Sequence, residues 1–160
     1  MLKMKVLPAN CGDSIIVSFD DGDNEVKNIL IDGGVGTVYD DFLRNEIIKI
    51  RKQKQKIDLL VVTHTDDDHI NGIIKLIEDN SLNNCIKEVW FNSWSNFDGK
   101  AVKLSHEGKE ISTKSARTLE NKLKEMNIWS NELIHQGTYR NYNKAKITVV
   151  SPNKISLNKL

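Results

Sequence analysis

The run Ile57-Asp58-Leu59-Leu60-Val61-Val62 constrains the fold more than any other segment of the chain. It is apolar at all but one position and β-branched at three of six, the pattern of a strand buried on both faces. Such a strand has to sit inside a sheet that is covered from both sides. The chemistry then changes abruptly. Thr63 to His69 is polar and acidic, and Ile70, Ile73, Ile74 and Ile77 follow at helical spacing. An interior strand, a charged loop and a short helix therefore succeed one another directly, and function is expected in the loop, where side chains can converge at a strand end.

The flanking segments agree with a mixed α and β fold. Leu2 to Leu7 reads as a first strand closed by Pro8, and Ser14 to Phe19 as a second. Asp20 to Asn24 reads as a hairpin turn, with Gly22 where a positive φ is needed, and Asn28 to Ile31 as a third strand, so the first third is a β-meander. Tyr39, Phe42, Leu43, Ile47 and Ile50 form the buried stripe of a helix over 39–54. Ile86 to Phe91 is a further strand and Ser93 to Gly108 a long loop. Ser112 is placed to cap a helix through Met126, with Ala116, Leu119, Leu123 and Met126 on its inner face. Lys146 to Val150 is the last strand. No repeat or linker divides the chain, so residues 1–160 are read as one domain.

Composition removes several function classes. Lys plus Arg number 23 and Asp plus Glu 22, so a net charge of +1 makes no case for a polybasic coat or membrane-surface protein. With 39% hydrophobic residues the chain can build a core, and no apolar run approaches a membrane span. No membrane partner is expected. Met1 to Asn10 has no signal-peptide core, and Cys11 and Cys85 are too few and too far apart for a disulfide scaffold or zinc knuckle, so a cytoplasmic chain is expected. The bias toward Lys, Ile and Asn reads as AT-rich coding, hence a bacterial source.

In the loop Thr63-His64-Thr65-Asp66-Asp67-Asp68-His69, residues 64, 66 and 68 project to one side if the stretch is extended, and His69 at the helix entrance can join them. Two imidazoles and two carboxylates crowded together repel unless a cation neutralises them. An EF-hand register from Asp66 fails, since it puts Asn71 at the required Gly and Ile77 at the terminal Glu. An acidic run between elements is ordinarily a solvated turn. Spacing alone leaves the metal site and the solvated turn both open.

The string Thr63 to Gly72 after a strand ending Leu-Leu-Val-Val resembles the His-x-His-x-Asp-His motif of the metallo-β-lactamase fold. Asp32 in Ile31-Asp32-Gly33-Gly34 is similar to that family's upstream acidic motif. The Cys11-Gly12-Asp13-Ser14 turn and the segment Lys146 to Pro152 resemble one branch of it, the metallo-hydrolase domain of the DNA-internalisation competence protein and its soluble relatives. The resemblance implies an α+β fold, the αββα four-layer sandwich. It implies His64 and Asp66 on a first divalent metal, Asp68 and His69 on a second, and Asp32 behind them orienting the ligands. Hydroxide bridging two metals, Zn or Mn, would then attack an ester or phosphodiester, with Asp68 in the catalytic set and nucleic acid as a candidate substrate. Asp66 stands where the wider family has His, and the added oxygen shifts preference from zinc toward Mn²⁺ or Mg²⁺.

The family also uses a third histidine, a bridging Asp and a last histidine from its second half. Here only His106 and His135 remain, and no acidic residue follows Val150. The resemblance thus implies a chain spanning about the N-terminal αβ half, with a sheet face left for self-association or a complementing partner, and it keeps open a catalytically incomplete binding or regulatory module. Lys49, Arg51, Lys52, Lys54 and Lys56 read as the cationic end of a helix in preference to a phosphate-tracking patch. Trp90 reads as core, Trp94 as an open loop position, and Cys11 as a small packed residue.

Overall fold

The computed structural model describes residues 1–82, 84–96 and 109–157, without the side chains of Trp94 and residues 109–113. His106, the loop beyond Asn96 and the capping side chain of Ser112 lie outside the described residues. Strands β1 (Leu2–Val6), β2 (Ile15–Gly22) and β3 (Glu25–Ile31) form the antiparallel meander, and β4 (Leu59–Val62) and β5 (Val89–Phe91) extend it in parallel. The sheet runs β1-β2-β3-β4-β5, and β6 (Tyr139–Asn141) and β7 (Lys146–Thr148) make a separate hairpin. The turn between β2 and β3 takes its left-handed residues from Asp23 and Asn24, at φ 50° and 62°, as a two-residue hairpin loop requires. Gly22, at φ 100°, lies beside a register shift. The fold is mixed α and β, as the periodicities and the resemblance imply.

Helices α1 (Gly36–Val38) and α2 (Arg44–Lys52) are joined by a π turn over Tyr39–Leu43; α3 is Asp67–Glu78, α4 Lys109–Met126 and α5 Lys154–Leu157. Tyr39, Leu43, Ile47 and Ile50 are buried as the stripe predicts, whereas Phe42 is 39% exposed. The π turn takes an extra residue per revolution, which carries Phe42 off the stripe. α4 starts at Lys109, before Ser112, and β6 is a strand without a sequence signal.

Alternation along the strands builds two cores. Leu30, Leu60, Val62, Val89 and Phe91 face α2, α3 and α4 and join Ile47, Ile70, Ile73, Leu76, Leu119 and Leu123. Phe19, Ile29, Leu59 and Trp90 face the other way, under Ile134, Tyr142, Ala145, Ile147 and Val149 of the hairpin region. β4 is therefore apolar on both faces because both are covered. Arg140 pairs with Glu88, and the backbone N–H of Lys144 donates to the buried Asp21 at 2.8 Å, pinning the hairpin across the sheet.

A sheet face wholly bare of cover, as the half-fold reading expects, is not what the structure has. The hairpin covers its middle, and the exposed remainder is at β1. Leu2, Met4 and Val6 pair with Phe19, Val17 and Ile15 and so point to the same face, yet they are 73%, 68% and 63% exposed. Among the described residues no helix is long and apolar enough to cross a membrane.

Candidate metal centre

The parallel pairing of β3 with β4 sets Ile31 beside Val61, so the chain leaves both strands at the same sheet edge. Asp32 follows β3 directly. It is fully buried, adopts a left-handed φ of 54°, and donates its N–H to Val61 O at 2.9 Å. That conformation is uncommon outside glycine, although Asp and Asn tolerate it best. It turns the carboxylate along the end of β4. There Oδ1 accepts the Thr63 N–H at 2.9 Å, and Oδ2 accepts the Thr63 hydroxyl at 2.5 Å and His69 Nδ1 at 3.0 Å.

The candidate ligand loop after β4 is extended only as far as Asp66, whose φ and ψ of −70° and 145° are those of a residue preceding a helix. α3 begins at Asp67, so Asp68 lies in its first turn and not on an extended stretch. Convergence of residues 64, 66 and 68 comes from this strand-to-helix corner, where strand alternation alone was the expectation. One donor atom each from His64, Asp66 and Asp68 lie within 4.8 Å of one another, as do donors from Asp32, His64 and His69. The two imidazoles pack with ring centroids 3.6 Å apart and a tilt of 50°.

Close backbone approaches hold this corner. The Gly33 N–H donates to His69 O at 2.8 Å, and the Gly72 N–H to Gly34 O at 3.0 Å. A Cβ on Gly72 would fall 2.0 Å from Gly33 O, so α3 can seat against β3 only with glycine there. On the other side Gly12, at φ 76°, packs so tightly that a Cβ would lie 1.9 Å from Asp68 O. The Cys11–Ser14 turn is thus a wall of the site. Neither Thr63 nor this turn takes a role from the motif resemblance; the contacts to Asp32 and Asp68 supply one.

The donor chemistry fits a divalent cation. His64 Nε2 faces Asp66 Oδ2 at 3.7 Å, and His69 Nε2 faces Asp68 Oδ2 at 3.9 Å. Both separations are too long for hydrogen bonds. They are near the roughly 3–3.5 Å between neighbouring ligands around an ion with bonds of about 2.1 Å. In addition, Asp67 Oδ1 is buried with no hydrogen-bond partner at the same corner. Exposure rises from the buried Asp32 and His69 to the open His64 and Asp66, so the donors form a shallow, solvent-facing site.

Other candidates stand apart from it. His135 is half-buried, with Nδ1 2.7 Å from Gln136 O, and belongs to neither donor group. Trp90 is buried, and Cys85 is a buried thiol pushed up to about 11, chiefly by desolvation. Cys11 is exposed beside Gly12. In the basic segment Lys49 pairs with Glu46 at 2.6 Å and Arg51 donates to Ser81 O at 2.6 Å, contacts proper to a helix end.

Among curated proteins none matches the chain. A flavoprotein from Thermotoga maritima aligns in structure with a TM-score of 0.47 at 17% identity, over 94% of this chain and 36% of that one, so the chain spans little more than a third of its length. The sequence profile of the metallo-beta-lactamase superfamily matches residues 15–138, which take in the meander after β1, Asp32, the whole ligand loop and β5. On that match, over well more than half its length, the chain belongs to the metallo-β-lactamase superfamily.

Proposed function

We propose that this chain is a metal-dependent hydrolase domain acting on an ester, with a phosphodiester such as nucleic acid as the favoured substrate. The observation that carries the reading is the pair of imidazole–carboxylate contacts, His64 with Asp66 and His69 with Asp68, each at non-bonded separation on one corner. His64 and Asp66 would hold one divalent cation, and Asp68 and His69 a second. Asp32 is assigned to orienting them, because its oxygens already accept from Thr63 and His69. A bound cation would supply Lewis acidity and lower the pKa of a water molecule. The chain's own residues do the rest: Asp32 aims His69, the Gly33 and Gly72 contacts set the height of α3, and the Gly12 turn limits how the substrate approaches Asp68.

The two imidazoles suit Zn²⁺ or Mn²⁺, and the carboxylate oxygens shift the preference toward Mn²⁺. The phosphodiester preference is supported by the resemblance of the Cys11–Ser14 turn and the loop to the competence-protein branch. A second part of the reading concerns partners. The exposed apolar side of β1, an edge strand, supports self-association through that strand.

Elemental mass spectrometry on protein purified without chelator tests the central claim. One to two Mn or Zn ions per chain are expected, falling on His64→Ala or Asp68→Ala together with any Mn²⁺-dependent phosphodiesterase activity. A folded protein that binds neither ion would sink the hydrolase reading and leave a binding or regulatory module.

A further inference from the structure

We propose that Thr63 is a positioning residue that fixes the proton on His64, so that one carboxylate, Asp32, sets the tautomer of both imidazoles. The inference rests on the metal-centre reading above but is argued from hydrogen-bond bookkeeping alone. Thr63 Oγ1 lies 2.5 Å from Asp32 Oδ2 and 2.9 Å from His64 Nδ1. A hydroxyl has one proton to donate, and a carboxylate can only accept. The Thr63 proton therefore goes to Asp32, where the Thr63 N–H and His69 Nδ1 also donate. Oγ1 is left as the acceptor facing His64, and Nδ1 of His64 must carry the hydrogen. The opposite assignment, Thr63 donating to His64, would put two lone pairs 2.5 Å apart.

The consequence falls on the other ring nitrogen. With Nδ1 protonated, the lone pair of His64 is on Nε2, the atom facing Asp66 at 3.7 Å. His69 reaches the same state directly, since Nδ1 donates to Asp32 and Nε2 faces Asp68 at 3.9 Å. His69 is buried and His64 is not, which explains the relay. Asp32, deep behind β3, touches the buried ring itself and reaches the exposed one only through the hydroxyl of the residue between them. Outer partners that hold a ligand ring in one tautomer and orientation ordinarily change metal affinity by about 10–100-fold when removed.

The test uses the metal-free protein, uniformly ¹⁵N-labelled, at about pH 8, where imidazoles are ordinarily neutral. Long-range ¹H–¹⁵N correlation spectra should show both His64 and His69 protonated on Nδ1. Thr63→Val keeps the branched shape without the hydroxyl. It should release His64 to a tautomer mixture while His69 stays unchanged, and it should weaken Zn²⁺ binding in calorimetry by about 10–100-fold. Thr63→Ser should restore both readouts, which a merely structural role for Thr63 does not predict. A wild-type His64 protonated on Nε2, or a His64 signal and Zn²⁺ affinity that Thr63→Val leaves unmoved, would overturn the relay. If the tautomers are as stated and respond to the variants but the wild type binds no Zn²⁺ or Mn²⁺, the relay stands and the hydrolase reading falls.

Discussion

His69 and Asp32 are joined by a buried hydrogen bond of 3.0 Å from Nδ1 to Oδ2, between residues 37 apart in sequence and on neighbouring elements of the sheet edge. The carboxylate accepts from Thr63 as well, so its removal strands three donors at once. Asp32→Ala is expected to destabilise the fold by about 1–3 kcal/mol and to weaken divalent-cation binding. Asp32→Asn tolerates the left-handed φ and keeps one acceptor oxygen, so it should recover much of the stability and little of the affinity. Urea unfolding alongside Zn²⁺ calorimetry separates the two effects, and equal loss of both in Asp32→Asn would contradict this account.

Gly72 offers a test with an unusual sign. Replacing an interior helix glycine by alanine ordinarily stabilises by about 1 kcal/mol. Here the new Cβ would meet the Gly33 carbonyl oxygen at 2.0 Å, a backbone atom that cannot swing aside. Gly72→Ala is therefore expected to destabilise, by about 1–3 kcal/mol, and to pull α3 and its ligands away from Asp32. A rise in the thermal midpoint would show that the helix seats differently.

Association is expected through β1. Met4 is 68% exposed between Leu2 and Val6 on a strand with one unpaired edge. The wild-type chain should show concentration-dependent self-association in sedimentation velocity. Met4→Glu should suppress it without lowering the thermal midpoint, because a carboxylate there is solvated in the monomer and costly in an apolar contact. A wild type that stays monomeric at high concentration would remove the partner proposal.

The junction of α3 with the first helical segment is acid-sensitive. The Ser81 hydroxyl, then Arg44 Nε at 2.7 Å and Tyr39 Oη at 3.0 Å, hold the Asp79 carboxyl well below its usual range. A folded-state value below the unfolded one means that Asp79 stabilises the fold above about pH 4. That contribution is lost as pH falls below this toward the depressed folded-state range. Asp79→Asn should accordingly be less stable than wild type at neutral pH, with the gap closing as pH drops below about 4. Parallel denaturation curves at pH 7 and pH 3 measure it, and a gap independent of pH would count against the network.

Local pattern determined much of this protein by itself. The apolar run at 57–62, the isoleucine spacing after it and the meander before it are written in side-chain periods of two and about three and a half, which any short window reveals. The candidate ligand types at 64, 66, 68 and 69 are legible for the same reason, as neighbours in sequence. Tertiary structure decided how Asp32, which only the resemblance placed behind them, comes to stand there, because the parallel register of β3 with β4 is a long-range pairing with no local mark. It also decided that the helix starts at Asp67, that Phe42 leaves its stripe at a π turn, and that a hairpin from the far end packs over the middle of the sheet's second face. The role of Thr63 belongs with these. A threonine beside a histidine is unremarkable until the fold brings a buried carboxylate within 2.5 Å of its hydroxyl and leaves that single proton one place to go.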